Sequence, residues 1–99
     1  MTDVYIAWTG ESAVAAGIRV ARELRRAGLR VELAPVEVRF RKALARADQI
    51  GARFALILGE DEMATGQWTV KRLADGSQVK MREDEFLEMM RKRLESKIG

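Results

Sequence analysis

Two short apolar runs, each placed just after a helix-stopping glycine, constrain this chain more than any other feature. Gly28 precedes Leu29-Arg30-Val31-Glu32-Leu33, and Gly51 precedes Ala52-Arg53-Phe54-Ala55-Leu56-Ile57-Leu58. Glycine just past a helix end accepts the left-handed backbone that closes the last turn. The run 53–58 is nearly continuous apolar sequence between Gly51 and Gly59, as expected of a central strand covered on both faces. Strands joined through helices in this way should lie parallel, with right-handed crossovers.

The rest of the chain fits around these units. Residues 4–8 form an apolar, β-branched and aromatic run that reads as a buried strand. Thr9-Gly10-Glu11-Ser12 breaks it and offers hydroxyls for a helix N-cap. The same turn has some likeness to a phosphate-binding loop but lacks the glycine spacing and lysine of one. Residues 13–27 read as a helix with Val14, Ile18, Ala21 and Leu24 inward, and 29–33 alternates as a strand. Pro35 marks a break, and 38–50 reads as a second helix with Phe40, Ala43, Leu44, Ala47 and Ile50 as its apolar stripe. After the strand 53–58, residues 59–62 read as an acidic loop. Two strands, 67–73 and 77–81, flank the hairpin signal Asp75-Gly76. Residues 82–98 read as a closing helix with Phe86, Leu87, Met90, Leu94 and Ile98 inward, acidic at its start and basic at its end. The order β-α-β-α-β-β-β-α predicts a single α/β domain over residues 1–99: a mixed five-stranded sheet with three helices.

Composition narrows the chemistry. The chain has 99 residues, no cysteine and no histidine. Thiolate and imidazole catalysis, disulfides and cysteine or histidine metal sites are thereby removed. No cofactor, metal site or catalytic residue is expected. No window approaches the roughly 20 apolar residues of a membrane span, so no membrane partner is expected and the chain reads as cytoplasmic. The net charge is +3, but it is unevenly placed. Ten Lys or Arg between residues 19 and 53 face four acids there, a local excess of six. Within that stretch Arg39, Lys42 and Arg46 step by three and four and share a helix face. Such a face can grip nucleic-acid phosphates, or it can simply be solvated.

Three stretches resemble the anticodon-binding domains of class II aminoacyl-tRNA synthetases. The first is Ala27-Gly28-Leu29-Arg30-Val31-Glu32-Leu33, a helix-to-strand passage common in that group. The second and most specific runs from Lys42-Ala43-Leu44-Ala45-Arg46-Ala47-Asp48-Gln49-Ile50 through Gly51-Ala52-Arg53-Phe54-Ala55-Leu56-Ile57-Leu58-Gly59-Glu60-Asp61-Glu62, and is similar to the corresponding part of histidyl-tRNA synthetases. The third is Gly66-Gln67-Trp68-Thr69-Val70-Lys71, with Val79 and the closing helix behind it. The stretch Ala34-Pro35-Val36-Glu37-Val38-Arg39-Phe40 departs from the family's usual lead into the second helix.

The resemblance implies the family's mixed sheet and recognition of a tRNA anticodon stem-loop by a C-terminal domain. It places base-contacting candidates after the first and third strands: Trp8, Thr9, Glu60, Glu62, Thr69 and Lys71. Arg39, Lys42 and Arg46 would hold backbone. The catalytic motifs of a histidine–tRNA ligase are absent from these residues, so the module is not expected to aminoacylate by itself. It would be an excised domain or a free-standing relative, working with a synthetase catalytic domain in cis or in trans.

Several residues keep two readings. Glu60, Asp61 and Glu62 can accept hydrogen bonds from base amino groups, form a soluble turn, or, least favoured, bind a divalent cation. Trp8 and Trp68 can stack on bases or belong to the core. The chain could also be a protein-interaction or regulatory module reusing the same fold. It would then dock a partner, or a second copy as a homodimer, on the Met89/Arg93 helix face or a sheet edge.

Overall fold

Both glycines close their helices as the sequence requires. In the computed structural model, which describes residues 1–98 and side chains through Arg93, Gly28 and Gly51 adopt φ of 95° and 69°. The Leu29 N–H reaches the Leu24 carbonyl at 3.0 Å, and the Ala52 N–H reaches Ala47 at 2.9 Å. Each is the six-to-one bond of a Schellman closure. The elements follow in chain order as β1 (Val4–Trp8), α1 (Glu11–Arg26), β2 (Val31–Leu33), α2 (Phe40–Gln49), β3 (Phe54–Leu58), α3 (Glu60–Thr65), β4 (Trp68–Arg72), β5 (Gln78–Met81) and α4 (Glu83–Ile98).

The five strands form one mixed sheet in the order β2-β1-β3-β4-β5. β1 lies parallel to β2 and β3, while β4 and β5 add antiparallel pairs. Strand alternation sorts the core into two layers. Val4, Ile6, Phe54, Leu56, Leu58, Trp68 and Val70 face α1 and α4, meeting Val20, Leu24, Phe86 and Met90. Tyr5, Ala7 and Ala55 face α2, meeting Ala43 and Ala47. One layer is bulky and the other is built from alanines, so α2 can lie close to the sheet. Ion pairs Arg19–Glu83 and Arg91–Glu23 tie α1 to α4.

Four details differ from the sequence expectation. First, there are four helices, because residues 60–65 form α3 rather than a loop. Its single turn and a half is too short to show an apolar period. Second, Ile18 is 46% exposed. The inner face of α1 is Ala13, Ala16, Gly17, Val20, Ala21 and Leu24. α1 crosses the sheet so closely that a Cβ on Gly17 would lie 3.2 Å from Leu33 Cδ1, so small residues rather than the large aliphatic make this contact. Third, Phe40 is 42% exposed. It opens α2 beyond the strand end, while Ala43 and Ala47 carry that helix's burial. Fourth, no hydroxyl caps α1. The N-cap is Gly10, at φ 93°, which has no side chain to cap the helix.

β2 is also shorter than expected, because the Leu29 N–H is engaged in closing α1 and the Arg30 N–H is bonded by Asp3. Trp68 is buried, resolving its two readings in favour of the core. The inward placement expected of Leu94 and Ile98 lies outside the described side chains. Met89 packs partly buried against the core, and the Arg93 guanidinium rests on the Phe54 ring. Both residues of the Met89/Arg93 face are thus partly buried and take part in the domain's own packing.

Phe86 is fully buried and holds α4 against the sheet. Phe86→Ala should lower unfolding free energy by about 3–5 kcal/mol, read from the urea midpoint at unchanged slope.

Candidate nucleic-acid interface

β1, β2 and β3 end on the same side of the sheet, and their exits diverge. β1 leads to α1 on one face and β2 leads to α2 on the other. Parallel strands whose connections part in this way leave a crevice at their carboxyl ends. Here it is an open groove of about 950 Å³ whose lining includes Thr9, Gly10, Glu37, Arg39, Phe40 and Glu60. Backbone bonds hold its walls together. Thr9 N–H reaches Leu58 O at 2.9 Å, and Val38 N–H reaches Trp8 O at 3.1 Å. The Gly10 N–H donates to Glu37 Oε1 at 2.7 Å, linking the first turn to the loop before α2.

Glu62 organises the far wall. Its Oε1 accepts the Gly59 N–H at 2.9 Å. Its Oε2 accepts from the Thr69 hydroxyl at 2.8 Å and from Lys80 Nζ at 2.7 Å. One carboxylate thus caps α3 and joins it to β4 and β5. Gly59 must be small, since a Cβ there would lie 3.1 Å from both Glu62 Oε1 and Thr9 Oγ1. Burial works against the Glu62 charge, but the bonds from Lys80 and Thr69 and a backbone amide outweigh it and hold the carboxyl below the usual glutamate range.

Glu60 and Asp61 are exposed in the first turn of α3, and among the described residues neither carboxylate has an ion-pair partner. Across the groove α2 opens on Arg39, followed by Arg41 and Lys42, with no acid in its first turn and no side-chain cap. Cations at the positive end of a helix dipole are unfavourably placed, so an external anion would relieve this end.

A family model described as an anticodon binding domain matches residues 3–93. The chain belongs to the anticodon-binding domain family. It is 42% identical over 84 residues to the histidine–tRNA ligase of Solibacter usitatus, covering 85% of this chain and 20% of that protein. With the Koribacter versatilis histidine–tRNA ligase the identity is 36% over 97 residues, covering 98% of this chain and 22% of that protein. The chain thus spans about a fifth of the length of these curated relatives. The histidyl-tRNA synthetase structure from Nostoc sp. PCC 7120 superposes with a TM-score of 0.80 at 29% identity, over 93% of this chain and 21% of that one.

The anticodon-binding domain brings together five of the nine residues singled out from the sequence. Thr9, Arg39, Glu60, Glu62 and Thr69 line the groove. Trp8, Lys42, Arg46 and Lys71 do not. Trp8 is half-buried against both core layers and donates its indole N–H to Ala34 O at 2.7 Å. Arg46 makes a two-pronged contact with Glu32 at 2.9 and 3.2 Å. That bond raises its pKa further and divides it from the open face of Arg39 and Lys42. Lys42 is exposed on α2 outside the groove, and Lys71 is half-buried in β4 opposite Ala55. Thr69 is 5% exposed, with its hydroxyl committed to Glu62.

Sequence reasoning passed over Glu37, Phe40, Gln78 and Lys80, which also line the groove. Lys80 was hidden by the hairpin. Arg72 N–H bonds Ser77 O, so the loop is residues 73–76 and Thr69 pairs with Lys80. A two-residue turn at Asp75-Gly76 would have set Thr69 opposite Arg82. Phe40 carried the one usable signal, an aromatic at the very start of a helix whose buried contacts are alanines.

A depressed carboxyl pKa contributes stability above the ordinary glutamate value and loses it as pH falls through the lowered value. Glu62→Gln should therefore cost about 1–2 kcal/mol near neutral pH. The gap between variant and parent should shrink as pH falls below the ordinary glutamate range, as followed by urea denaturation across that window.

Proposed function

We propose that this domain reads the anticodon loop of a tRNA in the groove at the carboxyl ends of β1, β2 and β3, as the non-catalytic part of a histidine–tRNA ligase. The observation that carries this reading is the pairing of opposite chemistries across one crevice. Arg39 lines the groove at the start of α2, with Arg41 and Lys42 exposed just beyond it, while Glu60 and Asp61 line it from α3; among the described residues none of the five is in an ion pair. Backbone phosphates would run along the α2 side, where cations position RNA without reading its sequence. Carboxylates repel phosphate but accept hydrogen bonds from the amino groups of unpaired bases. The half-exposed Phe40 ring beside Arg39 offers a stacking surface between the two.

The roles are unequal. Glu60, Asp61 and Thr9 are placed to meet a base edge. Glu62 and Thr69 shape the wall, because their polar atoms are already bonded to each other and to Lys80. Aminoacylation would belong to a catalytic domain acting in cis or in trans.

Titration of a histidine-tRNA anticodon stem-loop should give binding in the micromolar range at low salt, weakening as salt rises through counterion release. Replacing Arg39 and Lys42 by Ala should lower affinity for all RNA sequences alike and reduce the log–log salt slope by about 0.7 per lost contact. Phe40→Ala should cost about 1–3 kcal/mol of binding with the slope unchanged. Absence of binding at low salt rejects the reading for this chain.

A further inference from the structure

The amino ends of β1 and β3 carry a second cluster of charge, about five strand residues or roughly 16 Å from the groove. Three arginines from different elements converge there. Arg53 precedes β3, Arg72 ends β4, and Arg93 comes from α4. Arg72 and Arg93 bring their guanidinium carbons to 5.5 and 5.2 Å from the centre of the Phe54 ring. Together with Asp48 and Leu73 these residues line a pocket of about 420 Å³.

The cluster is short of acceptors. Among the described residues none of the three arginines is in an ion pair. The Arg53 Nε–H donates only to Met1 Sδ, at 3.4 Å, and a thioether is a weak acceptor. The Arg93 Nε–H is buried with no hydrogen-bond partner. Among the described residues Asp48 is the one carboxylate in the lining; Asp75, in the neighbouring hairpin, feels the Arg72 charge but spends its hydrogen bonds on its own turn at Ser77. The Phe54 ring attracts guanidinium charge through its face, but it offers no oxygen to the forked N–H groups.

We propose that this pocket binds a small phosphate, either inorganic phosphate or a phosphate monoester. A tetrahedral oxyanion presents oxygens to several guanidinium forks at once, which is the geometry arginine recognises best. Its charge of about −1.5 to −2 near neutral pH offsets most of the net charge of three arginines and one aspartate. The pocket is larger than a bare phosphate, which leaves room for the organic part of a monoester. The inference is independent of RNA binding in the groove.

Side-chain Nε–Hε NMR signals of the whole chain test it at constant ionic strength. Inorganic phosphate and ribose 5-phosphate are each titrated, with sodium chloride as the charge control and the anticodon stem-loop as a separate arm. The expected result is saturable movement of the Arg53, Arg72 and Arg93 signals with phosphate or the monoester and none with chloride. The Arg53→Gln/Arg93→Gln variant should bind at least about tenfold more weakly. Three outcomes overturn the proposal: no saturable movement up to tens of millimolar, equal movement with chloride, or movement with the stem-loop alone, which would make the pocket an RNA backbone contact. If the variant does not fold, the parent spectra still decide. If the stem-loop fails to bind the groove while phosphate moves the three signals, the functional reading falls and this one stands.

Discussion

The parallel pairing of β1 with β3 is the constraint on which the rest of the structure depends. Five residues of each strand run in register, from Val4 opposite Phe54 to Trp8 opposite Leu58. Both strands are almost wholly buried, so every alternate side chain must match one of two layers. A shift of one residue would turn Ile6 and Leu56 towards the close-packed alanine layer and Tyr5 towards the bulky one. With the register set, the exits of β1 and β3 lie side by side. The loop after β2 is then drawn over them by Val38 and Glu37.

That arrangement explains why the chemistry gathers at one end. The groove is formed by loops, but these loops are anchored by backbone bonds to strand ends and by one carboxylate. Glu62 reaches the Gly59 amide, Thr69 and Lys80, spanning α3, β4 and β5. Such a group stiffens the wall and is less available to a ligand. Glu60 and Asp61, in the same first turn of this short helix, are exposed, and among the described residues neither carboxylate is in an ion pair. Adjacent acids of one chemical type thus divide into a structural member and two that can contact a ligand.

Much of the fold was legible in the sequence because local physics dictates it. Gly28 and Gly51 stand just past a helical stretch and take the left-handed backbone that closes it, the run from Phe54 to Leu58 is too apolar for an outer strand, and Asp75-Gly76 turns the chain. The misreadings share a cause. Helical spacing with Val14, Ala21 and Leu24 puts Ile18 inward, although the real contact is set by how closely α1 approaches at Gly17. Residues 59–62 read as an acidic loop because the helix that starts there, Glu60–Thr65, has too few positions to display a period. Arg46 was grouped with Arg39 and Lys42 by helical spacing, yet its partner, Glu32, comes from a strand that spacing on one helix cannot see.

The sequence by itself determined the element order apart from α3, the parallel β-α-β core, the placement of basic residues near α2 and of acids after β3, and the family to which they are similar. These follow from propensity, alternation and neighbouring positions along the chain. Only the tertiary structure decided which of those charges are free. The four-residue loop at 73–76 set Lys80 opposite Thr69 and so neutralised Glu62, whereas among the described residues Glu60 and Asp61 are in no ion pair. The same packing gathered Arg53, Arg72 and Arg93 around Phe54 from three separate elements. The pairing of charges depends on distances across strands and between layers, and those distances exist only once the chain has folded.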